Sequence, residues 1–161
     1  MFYVILKILS TYFLIVCSLI SSNHTAIEIT ANSMEWKKEA NIAIATGNAK
    51  AVRGNSILSA KKIIVFFNKK NDTDAISRLD ASGDVKFIRE NQIATGDNAI
   101  YYVENDKINL KGDVSLQRED SIMLGDELTI DLKTSSSKLT SKNNERVRVK
   151  YNTKKKSNEK K

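Results

Sequence analysis

Proline is absent from the whole chain. Nothing in the sequence therefore interrupts a strand ladder in the way proline does. There is one cysteine, Cys17, and one histidine, His24, both near the N-terminus. Beyond Ser18 there is no thiol, so the body of the chain has no disulfide. Neither a Ser/His/Asp nor a Cys/His arrangement can be built there. Zinc ligation lacks its usual donors for the same reason. The carboxylates show no pairing that would set one apart as an acid and another as a base. The chain is not expected to be an enzyme, and no cofactor or metal is expected.

Long apolar runs are scarce too. Met1–Ile20 is almost wholly apolar with Lys7 as its only charge, and Ile8–Ile20 is 13 residues. A bilayer span needs about 20 residues, so this run fits a signal-peptide core better. Small residues follow at Ser18, Ser21 and Ser22, without an A-x-A site. A signal peptide over 1–26 is expected, with cleavage within 18–26. A retained anchor is the alternative, with Lys7 reaching the headgroups. Lipidation at Cys17 is disfavoured because Val16 stands where a small residue would be expected.

Positive charge is confined to one end. Residues 138–161 hold ten Lys/Arg against Glu145 and Glu159, a balance of +8. The chain's net charge is +7, so 1–137 carries −1. The body is therefore no basic surface for nucleic acid. Residues 138–161 read as a solvated, disordered tail, or one that touches anionic lipid or phosphate.

What the chain does have is a repeat. Three segments align on a glycine: Gly47-Asn48-Ala49-Lys50, Gly83-Asp84-Val85-Lys86 and Gly112-Asp113-Val114-Ser115. Six residues on stands an arginine (Arg53, Arg89, Arg118), and eight on stands Asn55, Asn91 or Asp120. Ten on stands Ile57, Ile93 or Ile122, and thirteen on a small residue, Ala60, Gly96 or Gly125. Ala31 to Gly47 and Gly96 to Gly112 are both 16 residues, whereas Ala60 to Gly83 is 23. The longer connection contains the polar run Asn68–Asp74, which reads as an extended turn.

The period inside each unit is two. Apolar residues fall on even offsets from the glycines: Val85, Phe87, Ile108, Leu110, Val114, Leu116, and farther on Ile63, Val65, Phe67, Tyr101, Val103, Leu128, Ile130 and Leu132. Ile93 and Ile122 join them at offset ten, and Trp36 aligns with Tyr101. Such alternation marks strands with one apolar and one wet face, although Ile64, Phe66, Ile88 and Tyr102 break it. The glycines mark places where a strand bends or two backbones come close. The Arg-x-Asn/Asp element ends one strand and turns into the next. One unit cannot bury its face alone, so an all-β sandwich, jelly roll or β-solenoid is expected.

Some residues carry open alternatives. Asp84, Asp97, Asp113 and Asp126 recur beside glycines, which suits turn chemistry better than calcium. The three arginines suit the closing of strand ends by pairing with Asp or Glu, or contact with lipid phosphates. The apolar face suits a filled core or a lined groove, and alternation alone does not separate them.

The stretches Ala45-Thr46-Gly47 to Ile63, Ala94-Thr95-Gly96 to Tyr102, and Leu110-Lys111-Gly112 to Leu116 resemble the OstA-like (LptA) family pattern. The resemblance covers about 27–135. It implies an incomplete β jelly roll over 27–137, between the signal segment 1–26 and the tail 138–161. It also implies a periplasmic carrier or bridge for lipopolysaccharide between inner and outer membranes. The lipid A acyl chains would lie on the apolar inner face, formed by Trp36, Ile63, Val65, Phe67, Val85, Phe87, Ile93, Tyr101, Val103, Ile108, Leu110, Val114, Leu116, Ile122, Leu128, Ile130 and Leu132. The partners implied are LptC-like inner-membrane and LptD-like outer-membrane proteins, met through edge strands, and further copies joined head to tail. Two other readings stay open: an inner-membrane-anchored, LptC-like member of the same pathway, and a structural β-solenoid scaffold or adhesin that binds no lipid.

Overall fold

The computed structural model describes residues 26–151 apart from 71–72 and 143–144. The export segment expected over 1–26 lies outside these residues except for Ala26, as do Cys17, His24 and residues 152–161.

Ten antiparallel strands follow one another: β1 (Ile27–Thr30), β2 (Ser33–Lys37), β3 (Ile42–Arg53), β4 (Ser56–Lys70), β5 (Thr73–Arg89), β6 (Gln92–Tyr102), β7 (Lys107–Arg118), β8 (Ser121–Asp131), β9 (Ser136–Thr140) and β10 (Arg148–Tyr151). Strands β3 to β8 form a meander in which each pairs with the next. β1 and β2 both pair with β3, and β9 and β10 both pair with β8. All six meander strands bend midway. The ladder is interrupted at Thr46/Ala49, Ser59/Lys62, Ser82/Val85, Thr95/Asn98 and Lys111/Val114.

The cause of the bend is in the repeat. Gly47 and Asn48, Gly83 and Asp84, and Gly112 and Asp113 are pairs of consecutive residues with positive φ. Glycine enters that region freely, and Asn and Asp tolerate it better than most residues. At Gly112 the requirement is doubled, because a Cβ would run into the Asp97 side chain. Each strand thus folds over on itself. The halves make two layers that share one apolar interior, the form of an open jelly roll.

The first layer holds β1, the second half of β3, the first of β4, the second of β5, the first of β6, the second of β7, the first of β8, and β10. The second layer holds β2, the complementary halves, and β9. Rows of inward residues cross each layer. In the first layer Ala51, Leu58, Phe87, Ala94, Leu116 and Met123 stand opposite one another in turn. In the second, Ala43, Val65, Leu79, Tyr101, Ile108 and Ile130 do so. All but Met123 are buried. Directly opposed side chains share a face and pack as pairs.

Two segments differ from the sequence reading. The run Asn68–Asp74 is no extended turn: β4 continues to Lys70 and β5 begins at Thr73, with Asn68 opposite Ala75. Ladder bonds belong to the backbone, so a polar ribbon can carry them as well as an apolar one. Strands also continue past residue 137. β9 and β10 each add an edge to β8, one per layer, although β10 is exposed throughout.

Candidate functional site

The interior places most of the expected face residues together. Ile63, Val65, Val85, Phe87, Tyr101, Ile108, Leu110, Val114, Leu116, Leu128, Ile130 and Leu132 are buried in one cluster, with Phe67 and Val103 packed against it. Sequence reading missed the small residues of the same face. Ala43, Ala45, Ala49 and Ala51 of β3 are all buried.

Ile93 and Ile122 are not on that face. The hairpins after Arg53, Arg89 and Arg118 have two-residue turns, with Arg89 opposite Gln92 and Arg118 opposite Ser121. Crossing such a turn shifts the inward positions from even to odd offsets. Ala94 and Met123 point inward instead, opposite Leu116. Ile122 is consequently 36% exposed. The interruption farther along each strand restores the even offsets, so Ile63, Tyr101 and Leu128 point inward and are buried.

Trp36 lies opposite Ala43 and Met34 opposite Ala45, so both extend the inner face beyond β3. No further strand among the described residues covers them, and they are 54% and 53% exposed. The Trp36 ring stacks on Phe67 with centroids 4.6 Å apart. At the opposite end and in the other layer, Val149 and Tyr151 stand opposite Met123 and Ser121. They too are exposed inner-face residues.

Between these ends the interior is closed. Ala51, Leu58 and Phe87 of one layer and Leu79 and Tyr101 of the other line an apolar cavity of about 10 Å³. That is room for about one water. An acyl chain fits there only if the layers part.

The mouth is held by arginines. Each repeat arginine occupies the last inward position of its strand, so its side chain points across the opening. Arg53 donates to the Tyr101 hydroxyl, to the Val103 carbonyl at 3.3 Å and to the Asp106 carboxylate. Arg89 donates to the Leu132 carbonyl at 2.7 Å. Both bonds tie the first layer's lip to the second's. The reaches are 50 and 43 residues along the chain. The difference of seven is the extra length of the Ala60–Gly83 connection, 23 residues against 16. The two latches are therefore one contact, repeated.

Charge reinforces the Arg53 latch against burial. Burial lowers the guanidinium's pKa, but the bond to Tyr101 and the Asp106 carboxylate outweigh it, and the net shift is upward. Burial pushes the Tyr101 phenol up, opposed by Arg53. The phenol thus stays neutral, and its oxygen accepts a hydrogen bond from the charged guanidinium. An arginine–carboxylate contact with a second acceptor is among the stronger side-chain arrangements. Arg118 is exposed and has no side-chain hydrogen bond or ion pair among the described residues.

The recurring aspartates serve turns and edges. Asp84 pairs with Lys61 at 2.7 Å, and Asp126 accepts the Lys142 amide at 2.7 Å. No group of three metal-ligating side chains occurs among the described residues. No helix among them is long and apolar enough to cross a membrane.

Residues 28–136 match the family described as LptA/(LptD N-terminal domain) LPS transport protein. An uncharacterized protein of Rhizobium meliloti (strain 1021) is 29% identical over 124 residues, covering 73% of this chain and 67% of that protein. The crystal structure of LptH, described as the LptA homologous periplasmic component of the lipopolysaccharide transport device from Pseudomonas aeruginosa, superposes with a TM-score of 0.70. It covers 80% of this chain and 96% of that one at 13% identity, so the likeness is one of fold.

Proposed function

We propose, from the premise that the chain belongs to the LptA/(LptD N-terminal domain) family of LPS transport proteins, that it carries lipopolysaccharide through the periplasm with the acyl chains between its two layers. That family is one of transport proteins, not of enzymes. The observation carrying the reading is the inner face itself. It runs without a break across both layers and stays uncovered at its two ends, at Met34 and Trp36 and at Val149 and Tyr151.

The lipid A chains would replace the contacts the layers now make with each other. Each CH₂ removed from water contributes about 0.8 kcal/mol, so a few chains offset the parting of the layers. The sugars and phosphates would remain outside the mouth. Copies would join head to tail, β9 and β10 of one copy meeting β2 and β1 of the next, since unpaired edges accept strands. LptC-like and LptD-like partners would use the same two edges. Residues 1–26 would direct export, and 27–151 would form the transporting body.

A Leu116→Asp change places a charge in the middle of the face, where the wild-type side chain is 1% exposed. Its expected outcome is loss of lipopolysaccharide co-purifying with the protein, with far-ultraviolet circular dichroism still showing β structure. A folded Leu116→Asp protein that holds wild-type amounts of lipid contradicts the reading.

A further inference from the structure

The three repeat arginines occupy one position in three successive units, but only two find an acceptor within the described chain. We infer that Arg118 is a docking residue whose acceptors, the Lys38 carbonyl and the Asn41 side chain, lie on a second copy of this chain. The inference rests on the head-to-tail association proposed above and names the contact that fixes its register.

The acceptors of the two closed latches share a local structure. Val103 and Leu132 each open a four-residue turn at the end of a second-layer strand, Val103–Asp106 after β6 and Leu132–Ser135 after β8. A third turn of this kind, Lys38–Asn41, follows β2. Its backbone matches the first closely. Asn41 has φ 54° and Asp106 φ 50°. The Asn41 amide donates to the Lys38 carbonyl at 3.2 Å, and the Asp106 amide to the Val103 carbonyl at 3.4 Å. No arginine among the described residues donates to Lys38. The described residues thus hold a donor without an acceptor at one end, and a matching acceptor without a donor at the other.

The spacing joins them. Arg53 reaches from β3 to the end of β6, and Arg89 from β5 to the end of β8. Each latch spans three strands. Three strands on from β7 in the second layer is the place just beyond β9, the last strand of that layer among the described residues. The first strand a following copy could set there is β2, whose free edge faces away from β3. β9 runs antiparallel to β8, and alternation then makes β2 of the next copy antiparallel to β9. In that position Lys38 stands where Val103 and Leu132 stand in the closed latches. Asn41 replaces Asp106, and an amide oxygen still accepts from a guanidinium. The contact is heterologous, so it extends as a row of copies and does not close a pair.

The test uses full chains in a Cys17→Ser background. One preparation carries Asn41→Cys and another Arg118→Cys, and the two are mixed with a short bismaleimide. A crosslink in the mixture, and none in either preparation alone, is expected. Crosslinks only between like positions, or none in the mixture, overturn the inference. Because a cysteine also removes the arginine, Arg118→Ala and Arg118→Lys are compared by sedimentation. Self-association should weaken by roughly tenfold or more in Arg118→Ala, with part of it restored by lysine. Unchanged self-association in Arg118→Ala overturns the inference. So does a lower thermal midpoint with self-association intact, since that assigns the arginine to its own chain. Lipopolysaccharide capture from the inner face is read in the same samples. Capture without crosslinking defeats the docking contact alone, and crosslinking without capture defeats the lipid reading alone.

Discussion

Arg89 and Arg118 stand at the same place in successive repeats, yet one is half-buried against the opposite lip and the other is exposed. Nothing in their immediate sequence accounts for this. Both follow an alternating apolar run and precede a two-residue turn, Glu90-Asn91 in one case and Glu119-Asp120 in the other. The difference lies 43 residues downstream, where the chain supplies Leu132 for Arg89. For Arg118 the described chain supplies no such lip. In repeat proteins each unit contacts its neighbours along the chain, so a unit at the end lacks contacts that an internal one makes. The latched middle of the trough closes on itself, and under the proposed association a second copy supplies the lip that Arg118 lacks among the described residues.

The comparison can be broken most directly at Arg53. Replacing it with alanine removes three acceptor contacts and leaves Tyr101 and Asp106 to each other at 3.3 Å. A loss of about 1–3 kcal/mol in unfolding free energy is expected. Arg89→Ala removes one carbonyl contact, and about 1 kcal/mol is expected. Arg118→Ala should leave the denaturant midpoint of the unassociated chain unchanged. Urea titrations of the three variants rank them, and equal midpoints for Arg53→Ala and Arg118→Ala would erase the distinction between latched and free ends.

A smaller effect tests the latch by pH. The folded Tyr101 phenol titrates above its ordinary value of 10.0 because it is buried. Below pH 10 both states hold the proton and the contribution is intact. Above it the unfolded chain ionises first and binds fewer protons, so stability falls until the folded pKa is passed. Tyr101→Phe should flatten this part of the stability profile above pH 10. A profile as steep as wild type places the alkaline loss elsewhere.

Much of the fold was legible because its cause is local. Period-two alternation specifies strands, and the glycine pairs specify where they bend. The inner-face assignments of Phe87, Leu110, Leu116 and Leu128 follow from parity alone. Ile93 and Ile122 fell on the wrong face because a two-residue turn shifts parity, and a single ruler counted across it does not register the shift. The end of β9 and all of β10 fall in the stretch that reads as tail, because an edge strand needs one ladder and little burial, so Lys138, Arg148 and Lys150 cost it nothing. The latch was half legible. The arginines stood out by their spacing, but their partners are set by how the layers close. That closure joins residues 43 to 53 apart through no motif.

The closed interior also changes what transport requires. A cavity of about 10 Å³ holds no acyl chain, so the proposed role calls for the layers to separate, against the lip bonds of Arg53 and Arg89. The most direct test of whether they do separate around lipid is a photocrosslinking amino acid at Phe87, compared in cells with one at Lys86. Phe87 is 2% exposed and faces the interior, and its neighbour faces water. The account predicts lipopolysaccharide captured from position 87 and not from 86. A folded protein that captures none from 87, or equal amounts from both, would contradict it.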